Sequence, residues 1–186
     1  MKAAGILITL LFAISPLPAQ VLMTRDEALT QVFPDSQNVT RHTIFLNDSQ
    51  VDRIQKRAHT KLESRIMTYY TDSATKKTAT FVFFEKNRVR TKDEIFMVVV
   101  NADGTVKYIE MLAFYEPFDY FPMARWLKLF IDKPLTKKLW PNRDINNITG
   151  ATLTAHAITF GVRKILAIYD IAIRPPEWSR NVILER

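Results

Sequence analysis

The 186-residue chain contains no cysteine, and its three histidines lie far apart, at positions 42, 59 and 156. Without thiols the chain forms no disulfide and holds no cysteine-ligated zinc, iron–sulfur cluster or thioether-linked haem. The scattered histidines argue against a multi-histidine metal site. Any redox chemistry would therefore depend on an organic cofactor.

Glycine is also scarce, with four residues, and the chain has no internal repeat and no low-complexity segment. No glycine-rich linker divides the sequence, so a single domain is predicted. Hydrophobic residues make up 47% of the chain and charged residues 24%, which is typical of a folded globular protein. The length is sufficient for one hydrophobic core.

The amino-terminal region has the layout of a secretory signal peptide. Lys2 precedes an uncharged apolar run from Ala3 to Ile14, and Ser15-Pro-Leu-Pro-Ala19 follows it. The run is shorter than the roughly 20 apolar residues that a membrane span requires. We predict that residues 1–19 are a signal peptide and that residues 20–186 form one domain. An uncleaved anchor reaching Val21 is the alternative, which the two prolines disfavour.

The chain is basic, with 26 Lys and Arg residues against 19 Asp and Glu residues, a formal charge of +7. A basic balance can indicate a nucleic-acid partner, but the export signal opposes that interpretation, and we predict none. The charge could belong to an ordinary solvated surface. It could also attract an anionic membrane, cofactor or partner protein.

Local signals predict helices on either side of a strand-rich region. Thr24 and Glu27 form a capping box that opens a short helix, and Asn47 or Asp48 can cap a second helix that runs to about Leu62. The Asp103-Gly104 pair predicts a hairpin turn. Strands are predicted at residues 41–46, 66–71, 78–85, 94–100 and 105–114.

The remaining elements complete a prediction of fold class. In the last strand, a period of two places Val106, Tyr108, Leu112 and Phe114 on one face. A short helix is predicted near residues 123–131, a long helix at about 151–172 and an extended tail after it. Strands in a run with helices before and after them indicate an α+β fold, an antiparallel sheet with flanking helices.

The segment Asp144 to Thr154 (D-I-N-N-I-T-G-A-T-L-T) has the local properties of a loop that ends at a helix start. Thr149 can cap the helix, Gly150 permits a tight turn, and Ala151 begins the helix. A helix start favours an anion such as phosphate. A Thr-Gly pair before a helix is nevertheless far more often a plain cap than a ligand site.

Thr149-Gly150-Ala151-Thr152, followed by Leu153, resembles the S/T-G-A-T motif of the FMN-binding domain family. That family includes the C subunit of the sodium-pumping NADH:quinone reductase, the G subunit of the Rnf complex and small exported flavoproteins. The resemblance covers roughly residues 78–171. Outside the motif, the residues that carry it are Glu116-Pro117, Trp126, Phe130 and Arg143-Asp144-Ile145.

The resemblance implies an α+β fold and covalent attachment of FMN. In the family a flavin transferase joins the FMN phosphate to the threonine that closes the motif, which corresponds to Thr152. One departure is Asn146, where the transferase signature usually has an aspartate. The implied cofactor-binding residues are Thr149, Gly150, Ala151, Thr152, Leu153, Glu116, Trp140 and Arg143.

Several of these residues have ordinary structural alternatives. Trp140 is the aromatic residue nearest the motif that could support the flavin ring, although aromatic residues belong more often to a core. Arg143 and His156 could meet the phosphate, and His156 could equally lie on a solvated helix face. Glu116 could be an exposed loop acid.

Helical spacing predicts which threonine is accessible to the transferase. Residues 4, 7 and 11 apart lie on one face. From Thr152 that face is polar, with His156, Thr159 and Arg163, so Thr152 is predicted to face solvent. Thr154 is predicted to face inward, on the apolar face that includes Ile158, Gly161 and Ile165.

The sequence thus predicts an exported flavoprotein in the periplasm or on the outer face of the cytoplasmic membrane. It would carry electrons between a membrane donor and a periplasmic or surface acceptor, with a flavin transferase and redox proteins as partners. The alternative is a cofactor-free exported binding or assembly module that docks on a membrane complex. A third possibility is a reductase with its own small-molecule substrate.

Overall fold

The computed structural model describes residues 20–34, 39–72 and 80–174. The predicted signal peptide and the predicted extended tail from residue 175 lie outside these ranges. The strands are β1 Gln20–Val21, β2 Val39–Phe45, β3 Ile66–Asp72, β4 Thr80–Arg88, β5 Asp93–Asn101 and β6 Val106–Phe114. The α-helices are α1 Arg25–Val32, α2 Asp48–Ala58, α3 Ala124–Leu127 and α4 Thr152–Ile168.

Five long strands and the two-residue β1 form one sheet in the order β1-β6-β5-β4-β3-β2. Each pair of neighbouring strands is antiparallel. Gly104 takes a φ of 87° in the turn between β5 and β6, as the Asp-Gly pair predicts. The α+β fold with an antiparallel sheet, flanking helices and a long helix after the motif is confirmed.

Helices cover both faces of the sheet. The larger core lies between one face and α4, and it includes Phe83, Phe96, Ile158, Ile165 and Tyr169. On the other face, α1 places Ala28 against a second core that contains Phe33, Val82, Met97, Val99 and Leu112. Helix α2 packs Ile54 and Ala58 against the carboxyl-terminal end of α4.

The prediction that Val106, Tyr108, Leu112 and Phe114 share one face is wrong. Val106 and Phe114 face α4, whereas Tyr108 and Leu112 belong to the core under α1. The pairing of β6 with β5 shifts register twice, between Val99 and Val100 and between Ile95 and Phe96. Each shift inserts an extra residue into β6, and the side chains beyond it change face.

The helix starts agree with the sequence signals more closely than the helix ends. Capping boxes form at Thr24 with Glu27 and at Asn47 with Gln50. The second helix, α2, stops at Ala58 because His59 takes a left-handed φ of 57°, so its predicted extension to about residue 62 is wrong. Beyond α4 the backbone continues as a π-helical turn, Tyr169–Ile173.

Two further findings concern the described ranges as a whole. No helix within them is long and apolar enough to cross a membrane. The same residues contain no group of three or more His, Asp or Glu side chains that could hold a metal ion.

Candidate functional site

A cavity of about 210 Å³ lies at the amino-terminal end of α4. Three separate parts of the chain form its wall: the motif itself, the turn after β4, and the segment after β6. The structure therefore brings five of the predicted site residues together. The lining residues are Gly150, Ala151, Thr152, Leu153, Thr154, Glu116, Val89, Arg90 and Tyr120.

Among the residues that the structure describes, no side chain caps the start of α4. Ala151 occupies the N-cap position without a side-chain hydrogen bond, and the first helical bond runs from the Ala155 N–H to the Ala151 carbonyl at 3.1 Å. The prediction that Thr149 caps the helix is wrong, because Thr149 lies two residues before the N-cap and is exposed. Gly150 has a φ of 82°, which confirms the predicted tight turn. The first turn of α4 thus presents N–H groups that no side chain in the described ranges binds.

The two threonines of this first turn face in opposite directions, as helical spacing predicts. Thr152 is exposed, whereas Thr154 is 1% exposed. Thr154 lines the cavity, and its buried hydroxyl has no hydrogen-bond partner among the described residues. A buried hydroxyl without a partner costs about 1–3 kcal/mol. A phosphate or another acceptor in the cavity would remove that cost.

Glu116 holds the opposite wall of the cavity in place. Its Oε1 accepts hydrogen bonds from the backbone N–H groups of Arg90, Thr91 and Lys92 at 3.1, 2.6 and 2.7 Å. Burial opposes ionisation, but these bonds outweigh it and hold the pKa of Glu116 below its usual value. The carboxylate therefore fixes the turn that carries Arg90 to the cavity.

The loop before the motif is anchored by Trp126. Its indole N–H donates to the carbonyl of Asn146 at 2.5 Å, and its ring meets Phe130 edge-on at 5.3 Å. The Asn147 amide adds a bond to the Asn142 side chain at 2.8 Å. Asn146, the residue that departs from the family signature, is exposed.

Trp140 and Arg143 do not line this cavity, although they lie near the motif in sequence. The Trp140 ring packs against Phe160 at 5.0 Å and lies 4.8 Å from the Arg163 guanidinium. Arg143 is exposed and donates to the carbonyl of Lys137 at 3.0 Å. Their loop folds against the middle of α4 rather than its start, so the geometry gives neither residue a place at the cavity.

The polar side chains that follow Thr152 along α4 are not solvated, contrary to the prediction. Thr159 is fully buried and donates to the carbonyl of Ala155 at 2.6 Å, and Arg163 is 2% exposed. His156 is half-buried, and its Nε2 has no hydrogen-bond partner among the residues that the structure describes. Buried polar groups can satisfy their hydrogen bonds with backbone carbonyls, which the spacing of polar residues does not reveal.

Sequence reasoning missed Val89, Arg90 and Tyr120 as members of the cavity wall. They come from a hairpin turn and from a short 3-10 helix, Phe118–Tyr120, that lies far from the motif in sequence. Only the pairing of β4, β5 and β6 places these segments beside α4. No local sequence signal marks them.

No protein-family model matches the chain, and no curated protein is significantly similar to it. The similarity to FMN-binding domains therefore remains a prediction that depends on the motif and the residues around it.

Proposed function

We propose that this chain is an exported flavoprotein that carries FMN, joined through its phosphate to Thr152, and that it serves as an electron carrier. One observation above all supports this. The uncapped start of α4, the exposed Thr152, and Thr154, whose buried hydroxyl has no partner among the described residues, all line a single cavity. The family resemblance of the motif supplies the identity of the cofactor.

The residues at this cavity fit a phosphate group. The start of α4 favours an anion by about 0.3–1 kcal/mol at an exposed site. The N–H groups of the first turn, the Thr154 hydroxyl and the Arg90 guanidinium are the donors that would hold the phosphate oxygens. The Glu116 carboxylate opposes an anion, but three backbone N–H groups already bind its Oε1.

The cavity is too small for a whole flavin. Its volume of about 210 Å³ is below the roughly 300–1,000 Å³ of sites that enclose a small molecule. The cofactor would be held at its phosphate end, and a covalent tether would keep it at high effective concentration. Tyr120 lines the cavity, and the neighbouring Phe118, 59% exposed and stacked on Phe121 at 4.9 Å, adds aromatic surface.

Bound FMN supplies one- and two-electron redox chemistry, and the protein provides binding and orientation. In this proposal the chain holds the phosphate, keeps Thr152 accessible to a flavin transferase and leaves the cofactor open to redox proteins. The donor would lie at the membrane and the acceptor in the periplasm or at the cell surface. Attachment would form a bond between the Thr152 oxygen and phosphorus while the transferase breaks the pyrophosphate bond of an activated flavin nucleotide such as FAD. AMP would leave with the hydroxyl proton, so the protein gains the mass of FMN less water.

The test is flavin absorbance that survives denaturation and desalting, after co-expression of the chain with a flavin transferase. Wild type and Thr152→Ser retain the flavin, because both supply a hydroxyl, and Thr152→Ala loses it. Thr43→Ala is the matched control: it removes an exposed threonine on β2, outside the motif, and keeps the flavin. A wild type that stays colourless, even with added FMN, would overturn the proposal and favour a cofactor-free binding module.

A further inference from the structure

A second cavity, of about 410 Å³, lies where the carboxyl end of α2 meets the side of α4. None of its lining residues belongs to the first cavity, and no Asp or Glu is among them. Arg163, in its wall, is eleven residues after Thr152, or about 16 Å along the helix axis. The cationic lining residues are Lys56, Arg57, Lys137 and Arg163, and His59 also lines the cavity.

Arg163 is a buried cation without a carboxylate partner among the described residues. Four of its N–H groups donate to backbone carbonyls at 2.7–3.0 Å. A guanidinium has five such donors, so one N–H on Nη2 remains. Burial lowers the pKa of Arg163. Carbonyls and the Trp140 ring offset part of the charge, but a buried charge without a counter-ion is costly.

The other cations at this cavity are neutralised only in part. Lys56 and Lys137 are exposed and form no ion pair within the part of the chain that the structure describes. Arg57 pairs with Asp170 at 2.7 Å, and Asp170 also binds Arg174 at 3.3 Å. The residues around this second cavity therefore have an excess of positive charge.

We propose that this second cavity binds the phosphate group of a small molecule or of a lipid headgroup. A phosphate presents several acceptor oxygens and up to two negative charges, which suits cations that approach from two different elements, α2 and the loop at residues 135–137. The volume lies within the range of small-ligand sites. The site does not depend on FMN or on Thr152.

The test is titration calorimetry of the chain with pyrophosphate and with inorganic phosphate. The double variant Lys56→Ala/Lys137→Ala binds at least tenfold more weakly than wild type. The matched control Arg125→Ala/Lys128→Ala, which removes two exposed cations elsewhere, and Thr152→Ala bind as wild type does. Arg90→Ala, which removes the cation proposed to hold phosphate at the first cavity, keeps the binding that the double variant loses, so the two sites succeed or fail separately.

A second experiment distinguishes the phosphate of a soluble small molecule from that of a lipid headgroup. Flotation with phosphatidylglycerol vesicles, but not with phosphatidylcholine vesicles, and without binding of the soluble anions, would assign the site to an anionic headgroup. Equal phosphate affinity of Lys56→Ala/Lys137→Ala and of Arg125→Ala/Lys128→Ala would overturn the proposal. It would indicate attraction to the overall positive charge of the protein rather than binding at this cavity. Polyglutamate is an acidic polymer without phosphate, and binding of polyglutamate but not of the phosphate probes would overturn the proposal as well. So would the failure of all these probes to bind at millimolar concentration.

Discussion

The Glu116 carboxylate accepts the backbone N–H of Thr91 at 2.6 Å, and this bond joins the turn after β4 to the segment after β6. The same oxygen accepts the N–H groups on either side of Thr91. Because Glu116 and Arg90 both line the first cavity, one side chain determines how two distant segments meet at the start of α4.

Replacement of Glu116 therefore destabilises the protein. Glu116→Ala leaves three N–H groups without their charged acceptor and costs about 2–3 kcal/mol, whereas Glu116→Gln keeps one oxygen and costs less. Urea denaturation at pH 7 measures both. An unfolding free energy for Glu116→Ala equal to that of wild type would contradict this role.

The same bonds give Glu116 a defined pH dependence. Its pKa is lowered in the folded state, so its stabilisation is present above the unfolded pKa of about 4.3 and is lost as the pH falls through the folded pKa. The stability difference between wild type and Glu116→Gln should shrink below about pH 4. A difference that is constant with pH would contradict the assignment.

Local signals in the sequence were sufficient for most of the element order but not for long-range contacts. The capping boxes at Thr24 and Asn47 are complete within three residues, and the opposite exposures of Thr152 and Thr154 follow from helix geometry alone. The bulges of β6 depend on its register with β5, which the hydrophobic pattern of one strand cannot reveal.

The sequence pattern does not reveal the burial of Arg163 either. Its spacing from Thr152 predicts a polar, solvated face, yet its partners are carbonyls of Arg57, Ala58, Thr136 and Leu139, more than 20 residues away. The cavity wall likewise contains Arg90 and Tyr120, which only the folded sheet brings to the motif.

Arg163→Lys should destabilise the protein by about 2–5 kcal/mol. A lysine has one nitrogen with three donors, so it cannot bind carbonyls from α2 and from residues 136 and 139 together. Arg125→Lys, at an exposed site, is the control and should change stability by less than about 0.5 kcal/mol. Equal midpoints of urea unfolding for Arg163→Lys and Arg125→Lys would contradict a stabilising role of the buried Arg163 hydrogen bonds.

Glu94 should make the protein less stable as the pH rises. Its side chain is fully buried and has no hydrogen-bond partner within the described part of the chain, and burial, with Glu85 nearby, raises its pKa to about 8. The folded state therefore keeps a proton that the unfolded state releases. The unfolding free energy should fall between about pH 4.5 and pH 8, by up to about 1.4 kcal/mol per pH unit.

Glu94→Gln supplies the test, because it mimics the protonated acid at every pH. Its stability should vary less with pH than that of wild type and should exceed it at pH 8, as measured by urea denaturation across this range. Asp52→Asn, at an exposed position on α2, is the control. Parallel curves for wild type and Glu94→Gln would show that Glu94 does not bind the proton.

Intact-protein mass spectrometry of the chain co-expressed with a flavin transferase tests covalent attachment of FMN most directly, with fragmentation of the peptide that spans the motif. The expected result is a gain equal to FMN less water, located on Thr152 and absent from Thr152→Ala. An adduct on Thr149 or Thr154 would contradict the assignment of the residue. The absence of any adduct from the wild type would contradict covalent attachment of the flavin.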